Sequence, residues 1–410
     1  MERKLTEKTA ARGTVFDYLG WRGDLTFRQS PFNEVDNLIL CIISYLNFRR
    51  VEELKTLNPE KALSMQEVAA VLTAQDEQLG LSELDYLPLL HMAAQSQRFR
   101  TVRLYGFTHE YDEEKAMQFD AISFLLPDDT LFVAFMGTDT SLAGWKEDFH
   151  MSFLSAVPAQ ERAVSYVTEM AATCPKRMLR IGGHSKGGNL AAWAALYIPA
   201  DLQETRLLAA YNNDGPGFAR TVVETPEYRR IAGKLHTYIP ESSIVGVLLE
   251  HDEDYAVIDS TNRSVMQHEP LSWCVSATRF VHLGERSQMG KLSDDVLREW
   301  ISSMTVQERQ QFTDALFDVL SLSGKARTLD DLRSGGLGGG AALLKQYAEA
   351  DEEQKRIISE IFRRLAVDVK EELKRATEEG LEDVKTGLKK AAEEGLETMK
   401  AALNNLKPEK

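Results

Sequence analysis

Met178 to Tyr197, MLRIGGHSKGGNLAAWAALY, reads as a strand, a sharp turn and a helix, with Ser185 at the turn. Met178 to Ile181 is a short, mostly apolar run suited to a buried strand, whereas Asn189 to Tyr197 is rich in Ala, Leu and Trp and suits a packed helix. Between them lies Gly183-His184-Ser185-Lys186-Gly187.

That pentapeptide is G-x-S-x-G, the pattern of a nucleophile elbow. A serine held on a strained turn leaves no space for side chains two residues before and two after it, and Gly182 and Gly188 add further freedom. Ser185 Oγ is expected above the edge of a sheet, with the Lys186 N–H at the helix start facing a developing oxyanion.

The chain of 410 residues accommodates one α/β domain of roughly 250 to 300 residues plus an appendage, or two domains. Its net charge of -15 argues against a general nucleic-acid binder, which needs clustered Lys and Arg. The three cysteines, Cys41, Cys174 and Cys274, are widely spaced and suggest neither a disulfide framework nor a zinc site. No metal and no cofactor is expected. The low cysteine count and the lack of a signal-type or spanning apolar run predict an unsecreted, cytoplasmic protein.

Residues 1 to 30 read as a polar lead-in, and Asn33 to Phe48 as an amphipathic helix covering one face of a sheet. Helical patterns follow around Met65 to Thr73 and Tyr86 to Ala94, a block that could hold a lid or a simple cap. Strands are expected around Thr101 to Thr108, Phe119 to Leu126 and Thr130 to Met136, with a turn at Pro127-Asp128-Asp129. The third is apolar almost throughout and should be central. Directly after it, Gly137-Thr138 occupies the position where open α/β sheets place ligand chemistry, and it can offer a backbone N–H and a hydroxyl to an oxyanion.

Gln160 to Thr173 reads as a helix, and Arg206 to Tyr211, Leu235 to Ile239 and Tyr255 to Asp259 as further strands. The second and third of these helix-and-strand units close on Asp214 and Glu241, and a loop then carries His268. Serine, acid, histidine is the chain order of α/β-hydrolases. His268 is preferred as base over His236, which lies within a strand, and over His251 and His282. Asp214, in a rigid Asn-Asp-Gly-Pro-Gly turn, leads as acid, with Glu241 the alternative and Asp252, Asp254 and Asp259 behind.

With Phe135-Met136-Gly137-Thr138, the Gly144-Trp145 pair, Asp148 and the elbow, the chain resembles class 3, fungal-type lipases. It is more closely similar to a lipase-like family of bacterial proteins without assigned function, through phrases such as Asn33 to Leu40, Gly144 to Phe149, Asn213 to Phe218, Ser243 to Leu249 and Gln267-His268. The resemblance implies a lipase-like α/β-hydrolase fold with a mostly parallel central sheet, Ser185 as nucleophile, and an oxyanion hole from Thr138 and the Lys186 N–H. Two positions depart from it. Met136 stands where those lipases usually carry Arg, and Ser243 where they carry the acid. A serine there could only help to orient, which is why Asp214 leads.

Residues 1–333 are expected to form the lipase-like domain with its N-terminal helices, 334–340 a Gly-rich linker and 341–410 a charged helical tail. Within that tail, ATEEGLEDVKTGL at 376–388 and AAEEGLETMKAAL at 391–403 form a near-repeat with an apolar stripe at a period above the heptad's. Glycines 380, 387 and 395 weaken it by about 1 kcal/mol each, so it wants a surface: the hydrolase domain, a partner helix or lipid. The expected activity is hydrolysis of a carboxylic ester, with a lipid or acylglycerol among the candidate substrates, through an acyl-enzyme. The alternative is a catalytically weak or inactive lipase-like relative that binds acyl chains or a protein partner.

Overall fold

The computed structural model describes residues 12–79, 86–138, 142–151, 154–287, 296, 299–301, 303–321, 350–361 and 363–364. They belong to two compact units: one of Met1–Tyr111, Gln118–Gly137 and Pro158–Arg286, the other of Asp112–Met117, Thr138–Val157 and Ser287–Lys410.

The first unit is built on the apolar runs legible in the sequence. Strands β1 (Leu63–Ser64), β2 (Arg103–Asp112), β3 (Met117–Leu125), β4 (Thr130–Phe135), β5 (Met178–His184), β6 (Leu207–Asn213), β7 (Leu235–Pro240) and β8 (Tyr255–Ile258) follow in chain order. Beyond them β9 (Val275–Ser276) and β10 (Arg279–Phe280) form a separate hairpin, and β11 (His282–Leu283) returns to β8. The main sheet runs β1-β2-β3-β4-β5-β6-β7-β8-β11. β4 through β8 are parallel, and β3–β4, β1–β2 and β8–β11 are antiparallel. Every residue of β4 is buried, as a central strand of a parallel sheet requires. The β3–β4 turn falls at the Pro-Asp-Asp cluster, where Asp128 Oδ1 accepts from the Thr130 N–H and hydroxyl and Asp129 adopts φ +63°.

Helices α1 (Val15–Arg22), α2 (Glu34–Ile43), α3 (Met65–Leu79), α4 (Leu87–Gln95), α6 (Pro158–Thr173) and α7 (Lys186–Tyr197) accompany this sheet, while α5 (Leu142–His150) belongs to the second unit. Successive strand residues face opposite sides. A Cβ on Gly182 would meet Asn37 and Cys41 of α2, and one on Gly183 would meet Gly187 of α7, so these helices cover opposite faces of β5. The parallel strands thus share one carboxyl edge, on which the turns after β4, β5, β6 and β7 open.

Two expectations are corrected. The lead-in contains α1, which buries Val15, Tyr18 and Leu19, because Tyr18 donates to Asp36 and Asp36 pairs with Arg98, a network of partners far apart in sequence. The helix from Asn33 is shorter than its apolar pattern, ending at Ile43, and is not one-sided: every residue from Val35 to Ile43 is buried, since α1 and α4 pack on the side away from the sheet. Asn33 caps it, accepting from the Val35 and Asp36 N–H groups.

In the second unit, α5 packs on the helix Val306–Ser321 through Phe149, whose ring lies 5.6 Å from that of Phe317, and through a 2.9 Å Lys146–Asp314 ion pair. Residues 352–361 are helical, with Ile358 and Ile361 buried. The Gly-rich stretch 334–340 and the near-repeat at 376–403 lie outside the described residues. Among the described residues, no helix is long and apolar enough to cross a membrane.

Candidate active site

The turn after β5 has the conformation that its glycines suggest. Ser185 sits at φ +58° and ψ −132°, a region that side-chain-bearing residues avoid. The chain reverses so tightly that a Cβ on Gly183 would lie 2.0 Å from the Gly187 carbonyl oxygen, and one on Gly187 would lie 2.2 Å from that of Phe135. From Ile181 to Leu196, Ser185 alone is partly exposed. Its N–H donates to the Asn213 carbonyl at 3.0 Å, and its carbonyl accepts from Gly188 N–H at 2.8 Å, tying the turn to β6 and to its own helix.

Lys186 follows directly, and its side chain turns inward. Nζ donates to the Gln118 carbonyl and to Gln118 Oε1, each at 2.8 Å, so a buried ammonium links the start of α7 to β3. Behind the turn, Asn213 donates to the Gly183 carbonyl at 2.8 Å and exchanges hydrogen bonds with Asn37 of α2, which satisfies these buried amides in pairs.

At the end of β6, Asp214 is fully buried at φ +54°, with its N–H donating to the Tyr238 carbonyl at 2.9 Å. His268 Nδ1 lies 2.7 Å from Asp214 Oδ2, and the same oxygen accepts from Ser243 Oγ at 2.7 Å. A carboxylate oxygen only accepts, so the His268 proton is assigned to Nδ1 and Nε2 is left with the lone pair. His268 is partly exposed, and its partner is not. The other carboxylate oxygen, Oδ1, lies against Gly246, where an added Cβ would come within 2.2 Å of it.

Three contacts hold the short helical turn Ser264–His268 in place. Gln267 Oε1 accepts from the Ser242 N–H, the Gln267 carbonyl accepts from the Trp273 indole, and the His268 carbonyl lies 2.8 Å from His184 Nε2. His184 is buried, and burial followed by the neighbouring His268 pushes its pKa well below the ordinary histidine range. Among the described residues, no hydrogen bond joins Ser185 Oγ to His268.

The remaining sequence candidates lie as follows. Glu241 directly follows β7, partly buried, with its N–H donating to the Ile258 carbonyl. His236 stacks on Tyr211, His251 pairs with Glu253 at 3.1 Å, and His282 pairs with Glu34 at 3.1 Å. Met136 donates its N–H to the Asp120 carbonyl. Thr138 belongs to the second unit, where its hydroxyl donates to Asp148 Oδ2. Sequence reasoning missed His184 and Tyr45, although His184 is the variable position of the G-x-S-x-G pattern itself. It also missed Gln267 and Trp273 as anchors of the His268 turn. Among the described residues, no group of His, Cys, Asp and Glu side chains is placed to hold a metal.

The parallel sheet, its covering helices and the strained serine turn on its carboxyl edge make this a mixed α/β protein consistent with the α/β-hydrolase fold. The chain belongs to the Mbeg1-like family, whose model matches residues 93–318, a span that holds Ser185, Asp214, Ser243 and His268. Among solved structures it is similar to the Rhizomucor miehei lipase in its propeptide complex, at 14% identity and TM-score 0.32 over 51% of this chain and 79% of that one. It is also similar to the Lip2 lipase of Yarrowia lipolytica (15% identity, TM-score 0.29, 45% and 71% covered) and lipase II of Rhizopus niveus (15%, 0.28, 48% and 79%). No curated protein matches the sequence.

Proposed function

We propose that the protein is a serine hydrolase acting on a carboxylic ester, with a lipid or acylglycerol as the candidate substrate class. The observation that carries this reading is the Asp214–His268 pair at 2.7 Å on the sheet edge that also bears Ser185 on a strained turn. Ser185 Oγ attacks the ester carbonyl, His268 Nε2 takes its proton and returns it to the leaving alkoxide, and Asp214 holds the imidazole in the required tautomer and stabilises the imidazolium. Water then cleaves the acyl-enzyme by the same route. The His268–Ser185 contact forms with substrate bound, as catalytic hydrogen bonds in empty sites often do. The oxyanion is held by the Lys186 N–H at the start of the elbow helix.

In this reading Ser243 shares Asp214 Oδ2 with His268 and fixes the carboxylate. It does so from the position where the resemblance led one to expect the acid itself, and Asp214 is preferred over Glu241. We assign the protein to the cytoplasm, and residues 341–406 to contact with a helix or membrane surface. The catalytic reading is tested by turnover of short-chain p-nitrophenyl esters. Wild type should turn over, and His268→Ala should lower kcat by on the order of 10³-fold or more. No turnover by wild type, or equal turnover by the variant, removes the reading.

A further inference from the structure

The second residue of the elbow pattern, His184, is held between two fixed partners. Its Nε2 lies 2.8 Å from the His268 carbonyl oxygen, which has only lone pairs to offer, so Nε2 carries a proton. Burial keeps the ring neutral. Nδ1 is therefore an acceptor, and the Tyr45 hydroxyl, 3.1 Å from both Nδ1 and the His184 carbonyl oxygen, has one proton to share between these two acceptors. One direction is thereby fixed: the His184 N–H donates to the backbone carbonyl of His268, with Tyr45 packed on the opposite side of the ring.

The same ring lies against the side chain it supports. The His184 and His268 ring centroids are 4.6 Å apart with planes at 33°, and the Trp273 ring meets His184 edge-on at 5.9 Å. Tyr45 is itself wedged at the exit of β4, where a Cβ on Gly137 would fall 2.1 Å from its hydroxyl. The titratable groups facing His184 are thus Tyr45 and His268, with Asp214 behind His268.

We propose that His184 is a positioning residue for His268: its Nε2–H fixes the carbonyl of the turn that carries the base, and its neutral ring holds the base's imidazole in line with Asp214. The elbow then supplies both Ser185 and the support for its proton acceptor. This rests on His268 being the base. A charged ring in the same place would oppose the imidazolium that forms during proton transfer, so neutrality is part of the function.

Three variants of the full chain test it with p-nitrophenyl butyrate. His184→Leu keeps bulk and loses the donor, His184→Gln keeps an N–H at a similar reach, and Tyr45→Phe keeps the ring and frees its tautomer. His184→Leu should lower kcat by about 30-fold with KM within about twofold, His184→Gln should stay within about fivefold of wild type, and Tyr45→Phe should lower kcat about fivefold. A Leu variant with wild-type kcat, or a Gln variant reduced as far as the Leu variant, overturns the proposal. If the Leu variant does not fold, His184→Asn, which keeps an amide N–H at shorter reach, decides: unchanged kcat overturns it. If wild type turns over no ester, the proposed function fails while positioning is still read by NMR of histidine-labelled protein. The His268 Nδ1 proton should be sharp in wild type and His184→Gln and broadened in His184→Leu or Tyr45→Phe; one equally sharp in every variant overturns the proposal.

Discussion

Replacing Ser185 with glycine should remove activity and raise stability together. At φ +58° and ψ −132°, Ser185 holds a conformation that costs a side-chain-bearing residue about 1–3 kcal/mol, and glycine bears no such cost. Against this stands the extra chain entropy that glycine loses on folding, about 0.5–1 kcal/mol. No hydrogen bond of Ser185 Oγ is forfeited among the described residues, and the backbone bonds to Asn213 and Gly188 are open to glycine as well. The net gain is about 1 kcal/mol, which in a unit of this size raises the melting temperature by about 2–4 °C. Ser185→Ala is the control, because alanine inherits the strain and should melt with wild type. Differential scanning calorimetry of the three proteins reads the effect. A glycine variant that melts at or below the alanine variant would mean that the turn stores no strain, and the elbow would lose its physical basis.

Other consequences follow from the packing around the pair. Gly246→Ala places a methyl group 2.2 Å from Asp214 Oδ1 and should push the carboxylate off His268, lowering kcat about 10²-fold in an ester assay while KM changes little. Arg98→Met leaves Asp36 buried without its counter-ion and should cost about 3–5 kcal/mol in a urea melt. Glu253 is desolvated, but the bond from and the charge attraction of His251, with the bonds from Thr237 and Tyr228, outweigh burial and lower its pKa from 4.5 to about 2. A carboxyl group whose folded pKa is depressed stabilises above its unfolded pKa and loses that contribution as pH falls through the folded value. The part of the stability gap between wild type and Glu253→Gln that depends on Glu253 ionisation, on the order of 3 kcal/mol, should therefore be full above pH 5 and shrink towards pH 2 in thermal melts.

Local rules made much of this legible. Gly183 and Gly187 could be read as a demand for close approach because a serine on a sharp strand-to-helix turn leaves its neighbours nowhere to go, and the structure puts each against a carbonyl oxygen. Asp214 and His268 followed from chain order and from the edge on which parallel strands end. Their 2.7 Å contact spans 54 residues, and no spacing rule specifies it. The same holds for Ser243 with Asp214 and for Tyr45 with His184, contacts that exist because separate turns open on one edge. Helix α1 was missed because its few apolar residues are joined by a polar network, Tyr18 to Asp36 to Arg98, that periodicity does not register. Helix α2 was found but misjudged as one-sided, since a pattern shows which face is apolar and not what covers the other.

The central claim is that Ser185 is the nucleophile of a hydrolase, and labelling tests it most directly. Intact protein treated with a fluorophosphonate at neutral pH should gain one adduct, peptide mapping should place it on Ser185, and the adduct should be absent from Ser185→Ala and form far more slowly in His268→Ala. An unlabelled wild type, or an adduct that persists in Ser185→Ala, would contradict it.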